Sequence, residues 1–257
     1  MKNALTIASR EIRSYFVSPI AYVVLTGYLL LAGWFFFNLL ARFNMLLTIY
    51  SAQQNPEVLM RLNLNEFVIA PLLHNLSVVL VILVPVITMR TLSEEKKTGT
   101  YELLLTSPLR ISEIVLGKFL GAALFVGLMV LLTGIYPLIL LLYGNPEIAV
   151  VLSGYLGLLL LATSFVAIGI LTSSFTENQI IAAVTCMVTL LLLYVISWPA
   201  DDAGDTIGGL LRYISLTEHF AQFAKGIIDS KDLVYFGTVI GLALFLTHRS
   251  VESIRWR

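Results

Sequence analysis

Apolar residues run with little interruption for roughly twenty positions in six places along this chain, and polar residues gather between the runs. A helix needs about 20 mainly apolar residues to cross ~30 Å of hydrocarbon. The runs are Ile20–Leu40, Ile69–Met89, Ile114–Leu142, Ile148–Leu171, Ile180–Trp198 and Lys231–His248. They predict an all-α polytopic membrane protein with six transmembrane helices. No repeat or low-complexity linker divides it, so residues 1–257 read as a single membrane domain. The third run is over-long and holds Pro137, which predicts a tilt or a kink. The sixth is the shortest, since only Leu233–Leu246 is uninterrupted, and it needs its flanks to span.

Two further elements follow from helical spacing. Within residues 3–18, Leu5, Ala8, Ile12, Tyr15 and Phe16 share one face, and Thr6, Ser9, Arg10 and Arg13 fall opposite. This predicts an amphipathic helix on the membrane surface, its arginines near anionic head groups. Ile7 projects onto the polar side. Pro19 disfavours helix at Ser18 and marks the bend into the first span. In residues 200–230, Leu216, Phe220, Phe223 and Ile227 form a short stripe that predicts a helix resting on, or re-entering, the opposite interface.

Charge orients the bundle. Six spans put both termini on one side, and the loops on that side hold 11 Lys and Arg against 5 on the other. The excess of basic residues predicts that both termini and residues 90–118 are cytoplasmic. Lys118, at the start of the third span, is expected to snorkel to that surface.

Composition then narrows the chemistry. Of 257 residues 58% are hydrophobic and 12% charged, far from the balance of a soluble domain. The formal net charge is zero, which gives no sign of a nucleic-acid partner. Cys186 is the sole cysteine, so an intrachain disulfide and a cysteine metal cluster are excluded. The first apolar run is longer than a signal-peptide core and no Ala-x-Ala site follows, so it reads as a retained anchor. A phosphate-binding G-x-x-x-x-G-K-[ST] loop, H-E-x-x-H and G-x-S-x-G are all missing. Asp201, Asp202 and Asp205 lack EF-hand spacing and read as a solvated acidic turn. His74 and Asn75 are the most polar pair inside the spans, readable as interhelical hydrogen bonding or as a transport element.

The most charged stretch is "SEEKKTGTYELLLTSPLR", residues 93–110. Gly99 permits a tight turn, Thr100 is a good N-cap, and Glu102 suits the positive end of a helix dipole. Leu103, Leu104 and Leu105 follow, and Pro108 ends the element. Ser112 and Glu113 can cap the third span in the same way. A short leucine-bearing helix on a charged stalk is either a docking surface or a segment folded back on the bilayer or the N-terminal helix. In the third span Gly117 and Gly121 stand in a G-x-x-x-G relation that allows close helix approach.

The pattern E-x-x-x-G-T-x-E-x-L-L-x-T-x-P, carried by Glu95, Gly99, Thr100, Glu102, Leu104, Leu105, Thr106 and Pro108 with Leu103 beside them, resembles the signature loop of ABC-2 type permeases. The starting "ALTIASREIRSYFVSPIAY", the six spans and the "LTEHFAQFAKGIID" segment are similar to that family too. The ending "THRSVESIRWR" resembles its gliding-motility-associated subgroup. The resemblance implies a noncatalytic permease of the bacterial cytoplasmic (inner) membrane, usually an exporter, with residues 100–107 as a coupling helix. Residues 3–18 become a connecting helix packed beside it, with Arg10 or Arg13 pairing with Glu102 and with Tyr15 and Phe16 on its apolar side. Two copies of a cytoplasmic ATPase are implied, with ATP and Mg on them and no cofactor on this chain. A second permease subunit, identical or related, is implied as well, with room for an extracytoplasmic accessory protein. Two other classes stay open on the residues alone: an intramembrane hydrolase or transferase using His74 and a hydroxyl such as Ser77, and a membrane assembly scaffold.

Overall fold

The computed structural model describes residues 2–52, 62–99, 109–144, 146–202 and 204–255, and no strand occurs among them. Helix α1 is Lys2–Val17 and α2 is Pro19–Ala52. A π-helical turn, Asn65–Ile69, leads into α3, Ala70–Thr88, and α4 is the short Ser93–Lys97. Then come α5, Ile111–Leu132; α6, Ile135–Tyr143; α7, Ile148–Phe175; and α8, Gln179–Val195. Two short helices, α9 (Asp205–Ile214) and α10 (Leu216–Ala224), precede α11, Ser230–Arg255. Six helical segments are long and apolar enough to cross a membrane, as the apolar runs predict.

Local chemistry accounts for the helix ends. Pro19 opens α2, where its missing N–H costs no hydrogen bond. That helix continues to Ala52 rather than ending near Leu40, and its 34 residues reach about 51 Å. No glycine or proline interrupts residues 41–52, so nothing stops it at the membrane surface. The over-long third run breaks between α5 and α6 at Thr133–Gly134. Pro137 has no N–H for the Thr133 carbonyl, which instead accepts from Tyr136 N at 3.1 Å in a tighter turn. The Thr133 hydroxyl ties the break to Tyr155 of α7, 3.1 Å away. The α5 cap uses Glu113 as expected but not Ser112. Glu113 accepts the Arg110 backbone N–H at 3.3 Å, which makes Arg110 the N-cap and places Ser112 inside the helix.

Helix α7 is the central post, with 72% of its apolar window buried against 22% for α8 and α11. Around it pack α3, α5, α8, α10 and α11. Small residues allow this crowding: Gly154 lies under Leu73, Gly157 under Phe223 and Gly169 under Thr88. Of the predicted stripe in residues 200–230, Leu216, Phe220 and Phe223 are fully buried against this core. Ile227 is not; the chain turns at Gly226 (φ 89°) and leaves it exposed.

The packed face of α1 keeps Ala8, Ile12, Tyr15 and Phe16 of the predicted one, with Thr6, Ser9, Arg10 and Arg13 exposed opposite, but it is turned partway toward Ala4 and Ile7. Ala4 and Ala8 are buried and Ile7 half-buried, while Leu5 is exposed. Ile7 therefore belongs to the packed face because α1 lies against α5 and not only on a lipid surface. Helices α2, α5 and α8 begin, and α3, α7 and α11 end, on the same side of the bundle as α1. That side is the terminal face.

Candidate functional site

The glycines of α5 set how α1 sits. A side chain at Gly117 would meet Ile7 Cβ at 2.7 Å, and one at Gly121 would meet Glu11 Cβ at 2.6 Å. Glycine at both positions lets the α1 backbone lie directly on α5. Beyond the glycines, Tyr15 stacks on Phe125 (ring centroids 5.0 Å apart, 19° between planes), and Phe16 meets the same ring edge-on at 5.7 Å. Burial pushes the Tyr15 hydroxyl above its ordinary pKa. At the start of α5, Asn3 donates to Glu113 at 3.2 Å.

This contact delivers Glu11 to Lys118. Contrary to the expectation that it snorkels, Lys118 is buried, with 2% of its side chain exposed. Its ammonium lies 2.8 Å from Glu11 Oε1 and 2.8 Å from Glu95 Oε1, and it donates to the Thr91 carbonyl at 2.6 Å. An ammonium has three N–H donors, and these three acceptors satisfy them all. Burying the cation is tolerable because two carboxylates and a carbonyl replace its water. Arg10 adds a longer approach to Glu95, at 3.9 Å. Arg13 is exposed. Thus three segments far apart in sequence, α1, the α3–α4 turn and α5, meet at one ammonium.

The same turn is fixed from its other side by α7. Ser173 Oγ accepts the backbone N–H groups of Leu92 and Ser93, each at 3.1 Å, and donates to the Met89 carbonyl at 3.1 Å. Lys96 donates to the Ser174 carbonyl, which also accepts from Ser250 of α11 at 3.3 Å. Glu95 and Lys96 therefore point inward from α4, and Gly99 follows with φ 71°, the left-handed region that favours glycine. Thr100, Glu102, Leu103, Leu104, Leu105, Thr106 and Pro108 lie outside the described residues, as does the pairing expected of Glu102.

Residues 6–245 match the family described as ABC-2 family transporter protein. The chain belongs to that family. It is a multi-pass permease of an ATP-binding-cassette transporter, a class that works with an ABC ATPase subunit. No curated protein matches the chain. The match to the permease family begins inside α1 and ends inside α11, so it includes every member of the Lys118 cluster.

Away from the terminal face, the His74 reading resolves into helix-to-helix hydrogen bonding. Ser77 Oγ lies 2.7 Å from the His74 carbonyl, to which it donates, and 2.9 Å from the Tyr194 hydroxyl; His74 Nε2 is 3.4 Å from that same hydroxyl. The imidazole and the Ser77 hydroxyl thus share Tyr194 and are not bonded to each other. A second histidine is better held than sequence reasoning foresaw. His219 Nδ1 lies 2.6 Å from Asp232 Oδ1, Nε2 donates to the Tyr213 carbonyl at 3.0 Å, and the ring stacks on Tyr235 at 3.8 Å. This clamp closes α9 and α10 onto the first turn of α11. The available signal was the glycine turn at Gly226 between His219 and Asp232, which reverses the chain and brings the two together.

Proposed function

We propose that this permease is the membrane half of an ATP-driven exporter, moved from the cytoplasmic side through residues 93–110. In this reading both termini face the cytoplasm of a bacterial inner membrane, and residues 100–107 form a coupling helix seated in a groove of the ATPase. Two permease subunits, identical or related, work with two ATPase subunits that carry ATP and Mg. The supporting observation is the Lys118 cluster. A displacement of α4 pulls on Glu95, and through one ammonium that pull reaches α5 and α1 together, while Ser173 carries it to α7. Such a linkage turns a push on a short loop into a movement of spans. The excess of Lys and Arg on the terminal face supports the orientation.

The test is purification of the permease with its native partners, followed by ATPase assays. An ABC ATPase should co-elute. Gly99→Val forces a β-branched residue to φ 71° at a cost of about 1–2 kcal/mol, which should weaken ATPase docking about tenfold. Glu102→Lys should uncouple ATP turnover from the permease. Full coupling in both variants, or turnover of a substrate by the isolated chain, would overturn the reading.

A further inference from the structure

A cavity of about 240 Å³ opens on the terminal face beside the Lys118 cluster, where α1, the start of α2 and the end of α3 converge. Its lining is mixed, with charged residues from α1, α3, α4 and α5, hydroxyls at Ser14 and Ser18, and an apolar part from α2, α3 and α5. Arg90 and Glu94 lie on the rim, and Val24, Ile87 and Phe125 line the wall. Phe125 sits two helical turns beyond Lys118, about 10 Å further along α5, so the ammonium and the aromatic ring stand at different depths. This division suits an amphiphile.

The rim charges are not all spent internally. Three cations (Arg10, Arg90, Lys118) and three carboxylates (Glu11, Glu94, Glu95) line the cavity. Lys118, Glu11, Glu95 and Arg10 engage one another. Among the described residues Arg90 and Glu94 enter no ion pair, and Arg90 Nε is buried without a hydrogen-bond partner. Arg90 as a whole is half-buried, and a guanidinium lining a cavity with no carboxylate paired to it is suited to an anionic oxygen. The Glu94 carboxylate one turn along, exposed at the same rim, is placed to accept from a cation that can donate hydrogen bonds.

We propose that this cavity binds a single phospholipid with a phosphate–ammonium headgroup, of the phosphatidylethanolamine class. The phosphate takes the Arg90 guanidinium, the primary ammonium takes Glu94, and the start of an acyl chain lies along Val24, Ile87 and Phe125. A purely anionic headgroup would satisfy Arg90 but face the Glu94 carboxylate. A trimethylated ammonium would bring no N–H to Glu94. The site places a bilayer lipid against the bend between α1 and α2, and it does not depend on which membrane side the terminal face occupies.

The experiment uses the full chain. The protein is reconstituted in vesicles of phosphatidylglycerol mixed with either phosphatidylethanolamine or phosphatidylcholine, re-extracted in mild detergent, and its retained lipid counted by native mass spectrometry. Wild type should keep one phosphatidylethanolamine and no phosphatidylcholine. Arg90→Gln and Glu94→Gln should each lower retention about tenfold, the effect of one charge-assisted contact. Arg249→Gln, on the same face but outside the cavity, should leave it unchanged. Glu94 is exposed, so its variant tests the site even where Arg90→Gln folds poorly, and the wild-type comparison of headgroups needs no variant. Equal retention of both zwitterionic lipids, preferential retention of phosphatidylglycerol, or undiminished retention in Glu94→Gln would overturn the assignment. Displacement of the lipid by soluble phosphoethanolamine at the same concentration would overturn the role of the apolar wall.

Discussion

A lysine near the start of a membrane helix is ordinarily read as reaching back to the surface, and Lys118 shows what that reading misses. Its position along α5 is visible in the sequence, but its direction depends on Glu11 and Glu95, which lie 107 and 23 residues away in the chain. Spacing along one helix carries no information about such partners. The difference is measurable. A snorkelling, solvated lysine contributes little, about 0–1 kcal/mol through any pair it makes. Removing a buried cation leaves two carboxylates facing each other, at a cost of about 3–5 kcal/mol. Lys118→Met should therefore lower the thermal stability of the purified protein markedly, and adding Glu11→Gln and Glu95→Gln should restore much of the loss. A midpoint unchanged by Lys118→Met would mean that the ammonium is solvated after all.

At the scale of elements, the spans were legible because a run of about twenty apolar residues has few fates other than crossing a bilayer. Their ends were less so. The extension of α2 to Ala52 reflects the mere absence of a helix breaker, and the α5 cap fell on Arg110 through one side-chain contact at Glu113. The face of α1 was legible at Ala8, Ile12, Tyr15 and Phe16, and missed at Leu5 and Ile7 for a related reason. Hydrophobic periodicity finds the side that avoids water, whereas α1 presents to α5 a mixed row of Ala4, Ile7, Ala8 and Glu11, selected by two glycines and a lysine. Docking of α1 should accordingly hinge on those glycines. In Gly121→Leu the new side chain collides with Glu11 Cβ and the Ala8 carbonyl, and overpacking of this kind costs about 1–3 kcal/mol. Trypsin should then cleave after Arg10 and Arg13 about ten- to a hundredfold faster, with overall helix content unchanged. Gly27→Leu, at a glycine with open space around it, serves as the control and should alter neither.

The whole molecule divides into a crowded centre on α7 and a loosely covered rim, and its two faces differ in how they are tied. On the terminal face α1, α4, α5, α7 and α11 are joined by charged and serine contacts. On the other, the His219–Asp232 clamp holds α9 and α10 to α11, Ser153 joins α7 to α10 and Tyr194 joins α8 to α3, all without an ammonium or guanidinium. A permease driven from one side needs its ATPase-facing loops on the face where displacement spreads to several helices, and the terminal face meets that requirement. The orientation can be read directly, because Cys186, the sole cysteine, is buried at 1% exposure and can be replaced by alanine to give a thiol-free background. Arg13→Cys and Asp205→Cys then place single thiols at exposed positions on the two faces. A membrane-impermeant maleimide applied to intact cells should label the thiol at position 205 and reach position 13 only after permeabilisation. The opposite pattern would put the charged cluster outside the cell, out of reach of any cytoplasmic ATPase, and the proposed drive through residues 93–110 would fail with it.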